Sequence, residues 1–219
     1  MKRTILTCCM LCITIFLSSA QDVKKAKEIL DKLSAKYKTY TSIKADFKYT
    51  LEIRSAKETQ VQSGTIYIKK EKFQLDMEDQ VVITDGKIMW TILKDAKEVN
   101  INKYEPKQMD FIPSEMFAMW EKGYLYGYSG DETDKAGRTL QVIELTPDDK
   151  KQSYFKVKLF VDKAKSTIVK TELYEKNGNI YTYEITNFTP NFAVDDKMFT
   201  FEKAKYPDYT VVNLNKGDK

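Results

Sequence analysis

The residues equipped for chemistry are few, and their spacing does not assemble them. The 219-residue chain contains no histidine, which excludes Ser-His-Asp and Cys-His nucleophiles and His-ligated zinc. Any catalysis would fall to carboxylates, Lys or Tyr. Asp131, Glu132 and Asp134 cluster after Gly130, and a carboxylate pair is the equipment of a glycoside hydrolase. Their setting between Gly130 and Gly137 reads instead as a solvated loop. Asp85, directly before Gly86, reads as a turn former. There is no phosphate-binding loop and no Gly-x-Gly-x-x-Gly motif, and short basic pairs such as Lys150-Lys151 read as solvated surface. The sequence therefore predicts neither an enzyme nor a bound cofactor or metal.

The cysteines lead to the same conclusion by another route. Cys8, Cys9 and Cys12 all fall within the apolar run Ile5–Leu17, which follows Lys2 and Arg3 and precedes Ser18-Ser19-Ala20. This is the pattern of a secretory leader cleaved after Ala20. A membrane anchor is the alternative, but the run is shorter than the roughly 20 residues a spanning helix needs. Cleavage leaves no disulfide and no thiolate. Gln21 occupies the place where a lipid-modified cysteine would sit, so the exported product is expected to be soluble and unanchored. Loss of Lys2 and Arg3 leaves 34 of the 36 basic residues against 32 acidic ones, a net of about +2. That balance argues against a nucleic-acid partner. With 42% hydrophobic residues, residues 21–219 can form one domain with a sizeable core.

The elements announce themselves by period. Val23, Ala26, Ile29, Leu30, Leu33 and Tyr37 recur at steps of three and four, which predicts a helix ending near Thr39. From Ile43 the period becomes two: Ile43, Ala45, Phe47, Tyr49, Leu51 and Ile53 alternate with polar residues, a long strand with one dry face. The same alternation recurs to about Ile185, with Asp85-Gly86 and Asn177-Gly178 placed for tight hairpins. Roughly ten strands result, and an antiparallel sheet of that size must curl or close.

One segment departs from the strand pattern. Met109–Trp120 reads as a helix with Ser114 as its N-cap after Pro113, and it holds Met109, Met116 and Met119, three of the six methionines beyond the leader. Flexible, polarizable methionines either complete a core or line a surface for variable apolar partners. Both hold if the segment is a lid over an apolar cavity.

These residues together resemble a known family, the periplasmic LolA carriers of outer-membrane lipoproteins. The resemblance rests on the early helix leading into Ile43–Phe47, on Gln62-Ser63-Gly64-Thr65-Ile66-Tyr67-Ile68-Lys69-Lys70, on Ile83-Thr84-Asp85-Gly86-Lys87-Ile88-Met89-Trp90, and on Met198–Phe201 with Tyr209–Val212. It implies a mainly β fold with a helical lid: an unclosed antiparallel β-barrel whose apolar interior shields lipoprotein acyl chains. By position it nominates Phe47, Tyr49, Leu51, Phe73, Leu75 and Trp90 on the strands, and Met116, Phe117, Met119 and Trp120 on the lid. Where the family commonly has Lys-Arg-Pro, with the arginine latching the lid, this chain has Lys69-Lys70-Glu71. A Lys70 latch lacks the planar five-donor fork of arginine and is weaker or differently built.

The implied partners are lipoprotein acyl chains, an inner-membrane release complex and an outer-membrane acceptor, served by a monomer. The physics suits such a task, because each methylene exposed to water costs about 0.8 kcal/mol and free diffusion of the lipid is thereby suppressed. Carriage of another amphiphile, or a sensor module of the same fold, remains an alternative reading of the same residues.

Overall fold

A computed structural model describes residues 4–106, 117 and 119–217. Helix α1 (Thr4–Tyr37) runs without a break through the apolar run and the amphipathic stretch, so the expected cleavage point at Ala20 lies inside one continuous helix in this chain. No helix among the described residues is long and apolar enough to cross a membrane. From Ala26 onward α1 buries Ala26, Ile29, Leu30, Leu33 and Tyr37, while Val23 is exposed. The helix ends two residues before the expected Thr39, where the Thr39 hydroxyl donates to the Lys36 carbonyl at 2.7 Å.

Twelve strands follow among the described residues: β1 (Ile43–Ile53), β2 (Glu58–Lys69), β3 (Lys72–Met77), β4 (Gln80–Thr84), β5 (Ile88–Leu93), β6 (Glu98–Lys103), β7 (Tyr124–Thr133), β8 (Thr139–Pro147), β9 (Tyr154–Asp162), β10 (Thr167–Glu175), β11 (Ile180–Pro190) and β12 (Thr210–Asn213). They form one sheet in the order β12-β6-β5-β4-β3-β2-β1-β11-β10-β9-β8-β7. Two meanders, β1–β6 and β7–β11, are thus joined where β11 pairs antiparallel with β1. The outermost strands are β12 and β7, so the curved sheet stays unclosed. The count exceeds the roughly ten strands expected, and one of the twelve, β12, is only four residues long and pairs in parallel with β6, far away in sequence.

The turns are built as their residues dictate. The Asp85 carboxylate accepts from the Lys87 and Ile88 amides, both at 2.8 Å, and Gly86 takes a φ of 91°. Asn177 plays the same part between β10 and β11, accepting from the Asn179 amide at 2.9 Å beside Gly178 at φ 93°. Asp85 is therefore a turn former, and its carboxylate is occupied.

The two faces of the sheet are covered by different parts of the chain. On the concave face, α1 packs into one cluster with Ile143, Leu145, Val157 and Leu159 of the β7–β11 half. On the convex face, Val81, Ile83, Trp90, Ile92 and Val99 form a second cluster, covered by Phe201, Tyr206 and Tyr209 of the C-terminal segment. Tyr206 stacks on Phe201 at 5.6 Å and meets Tyr209 edge-on at 5.1 Å. Asp196 ties this segment to the β2–β3 hairpin, accepting from Lys69 at 2.6 Å and Lys72 at 2.9 Å.

Candidate functional site

Because α1 fills the concavity of the β7–β11 half, the remaining hollow lies over the β1–β4 half. It is a cavity of about 300 Å³ lined by Phe47, Tyr49, Gln60, Gln62, Ile66, Leu75, Met77, Asp79, Gln80 and Tyr183. That is at the lower end of the roughly 300–1,000 Å³ of ligand pockets. Strand register explains the convergence. Phe47 opposes Gly64, which opposes Met77, and Tyr49 opposes Gln62 and Tyr183. Directly opposed residues share a face of the sheet, so all of these side chains point inward.

Gly64 is what lets the floor lie flat. A Cβ at that position would approach the Phe47 ring to 2.7 Å and the Asp76 carbonyl oxygen to 2.9 Å. The ring therefore lies directly over the glycine, and the Gln-x-Gly motif has a packing reason. A register shift between Asp46 and Phe47 in the β1–β11 pairing falls at the same point, where a bulge re-aims side chains and sharpens the twist. Around the floor the aromatic rings form a continuous wall: Tyr183 lies 6.3 Å from Phe47 and 5.3 Å from Tyr49, and Tyr49 lies 6.1 Å from Tyr181. Burial raises the Tyr49 phenol to about 12, with Tyr181 adding to the shift, and burial pushes Tyr183 up as well. Both phenols are neutral at any physiological pH.

Of the residues nominated from sequence, Phe47, Tyr49 and Leu75 line this cavity together. Leu51 shares their face by alternation but lies farther along β1, opposite Gln60 and Tyr181. Phe73, Phe117 and Trp120 are buried in the same concave cluster without lining the hollow. Phe117 packs against Tyr37 at 5.2 Å and Phe188 at 5.8 Å, and the Trp120 indole donates to the Ser34 hydroxyl at 2.9 Å. Met119 opens a short 3-10 turn, Met119–Glu121. Met116, with Met109 and the expected Ser114 cap, lies outside the described residues.

Trp90 requires correction, because it opposes Ile83 and Ile101 on the convex face and packs there. Both faces of β5 carry apolar side chains, and alternation alone cannot orient such a strand. Lys70 sits exposed in the β2–β3 turn at φ 58°. It has no side-chain partner among the described residues, and that turn is at the opposite end of the strands from Gln60 and Gln80. The sequence reading missed Ile66, Met77 and Tyr183 on the floor, and Gln60, Gln62, Asp79 and Gln80 at the mouth. The strand parity that selected Phe47 also selects Ile66 and Gln62, and would have found them once β1 and β2 were paired in register.

The acidic cluster offers no acid/base pair. Asp131 and Glu132 lie on β7 rather than in a loop, and Asp134 forms the turn that follows. The Tyr128 hydroxyl, then Lys163, hold the Asp131 carboxyl below its ordinary range. The Arg138 backbone amide and side chain do the same for Asp134. A glycosidase needs one carboxyl raised to act as the acid, and here both are lowered. No group of His, Cys, Asp and Glu among the described residues could hold a metal.

An unclosed sheet wrapped around one helix, with a hollow left beside the helix, defines a half-barrel fold. The family described as "Outer membrane lipoprotein carrier protein LolA" matches residues 38–202, and the chain belongs to this family. It is similar to the outer-membrane lipoprotein carrier protein of Legionella pneumophila (strain Corby), at 22% identity over 180 residues, 80% of this chain and 86% of the relative. The protein of the same name from strain Lens is similar to the same extent. Among solved structures, an uncharacterized conserved protein from Thermus thermophilus shares the fold, with a TM-score of 0.57 at 13% identity over 86% of this chain and 99% of that one.

Proposed function

We propose that the protein is a periplasmic carrier, freed of its leader after Ala20, which shields the acyl chains of lipoproteins and takes them from an inner-membrane release complex to an outer-membrane acceptor. It works as a monomer and without catalysis. The observation that carries this reading is the aromatic-floored cavity of about 300 Å³ left open on the concave face. At about 25 cal/mol per Å² of apolar surface removed from water, an acyl chain laid on Phe47, Ile66, Leu75 and Met77 gains non-directional stabilisation. Such a surface does not depend on the chain's length or register. Its modest size favours release as much as uptake, since a partly sheltered chain binds less tightly than one buried in an acceptor or a bilayer.

Family membership supports the lipoprotein cargo in particular. The direct test incubates spheroplasts bearing newly made lipoproteins with the purified protein. Lipoprotein is expected in the soluble fraction as a one-to-one complex. Recovery no greater than with an unrelated periplasmic protein would refute the proposal.

A further inference from the structure

Building on the carrier reading, we infer that the mouth of the cavity selects the polar neck of the cargo, accepting the uncharged ester and amide groups of an acylated peptide and rejecting anionic phosphate headgroups. The chain reverses its own pattern here. On β2 the inward positions read Gln60, Gln62, Gly64, Ile66 and Ile68, while the outward neighbour Val61 is 53% exposed. Burial alone would place the valine inside and the amides outside. The pairings Tyr49–Gln62 and Leu51–Gln60 hold the amides where they are. Gln80, opposite Leu93 on β4, extends the same inward parity as Val82.

Among the described residues, the side-chain amides of Gln60, Gln62 and Gln80 have no hydrogen-bond partner, although Gln62 and Gln80 are half-buried. Each offers two donors and an acceptor. Ester carbonyls can accept from them, and peptide groups can both accept and donate. The fourth mouth residue is Asp79, and no Lys or Arg among the described residues lines the cavity. Lys94, on the adjoining strand end, is engaged by Asp76 at 3.3 Å and by the Met77 carbonyl. A phosphate headgroup would therefore meet a carboxylate with no basic side chain among the described lining residues to balance it.

The test follows displacement of the uncharged dye Nile red from the purified protein by two competitors with matched palmitoyl chains. One is a diacylated lipopeptide of uncharged sequence; the other is dipalmitoyl phosphatidate. The lipopeptide is expected to displace the dye at about a tenfold lower concentration. Asp79→Lys, a change in an exposed turn, should collapse that ratio by improving the phosphatidate. Gln62→Leu should collapse it by weakening the lipopeptide, each variant being referenced to its own dye signal. Equal displacement by both competitors in the native protein, or a ratio unchanged in both variants, overturns the inference and leaves carriage standing. Failure of the lipopeptide and the phosphatidate alike to displace the dye overturns the carrier reading and this inference with it.

Discussion

Two residues in the sheet show how narrowly side-chain size and polarity are set. Gly64 has no space for a methyl group between the Phe47 ring and the Asp76 carbonyl. Gly64→Ala should therefore destabilise the fold by about 1–3 kcal/mol, the usual cost of forcing extra volume into a packed site. Chemical denaturation measures this, and an unchanged midpoint would show that the ring moves freely. Thr171 is the opposite case. It is buried on the inward face opposite Tyr183 and Leu159, and its hydroxyl has no hydrogen-bond partner among the described residues. Thr171→Val keeps the shape and removes the unmatched polar group, so a gain of about 1 kcal/mol is expected as a higher Tm. A loss would mean that the hydroxyl has a partner, such as an ordered water. Neither role is readable from sequence, because Gly64 appears there only as part of a motif and Thr171 as one alternating residue among many.

At the level of elements, the sequence carried the strands well and their covering poorly. Unbroken alternation from Ile43 onward predicted the long strand β1, which ends at Ile53, since a half-buried strand must repeat every two residues. Trp90 was placed on the wrong side because its cover, Phe201 to Tyr209, comes from more than a hundred residues away. Local pattern holds no information about such a contact. The clamp that fixes this cover is testable by acid. Lys69 first, then Lys72, depress the Asp196 carboxyl from 3.8 to about 2. A depressed acid stabilises the fold above its unfolded pKa and ceases to do so as protonation proceeds. The clamp should act fully above about pH 5 and fade between 3.8 and 2. Asp196→Asn should lower the Tm at neutral pH, with the gap to the native protein closing toward about pH 2. A gap that does not depend on pH would assign the clamp no electrostatic role.

Across the whole molecule, the two halves of the sheet use their inner faces differently. Helix α1 packs against the inner face of the β7–β11 half, and the aromatic-floored hollow lies over the β1–β4 half. Alternation gave the number of dry faces but could not say which would be filled by the protein itself. Ligand binding should accordingly stabilise the fold by mass action, by about 2.7 kcal/mol at a lipopeptide concentration one hundred times Kd. Met77→Asp, at the end of β3 on the cavity floor, should abolish that rise in Tm. If the rise persists in the variant, the acyl chains lodge elsewhere in the molecule.

The parallel pairing of β12 with β6 has a consequence for the life of the chain before it is complete. Until residues 210–213 arrive, β6 presents a row of bare amides and carbonyls, the kind of edge that recruits strands from neighbouring molecules. Residues 210–213 thus guard the β6 edge against aggregation. A chain truncated after Tyr209 should form soluble oligomers or fibrils at concentrations where the complete chain stays dispersed, which light scattering would reveal.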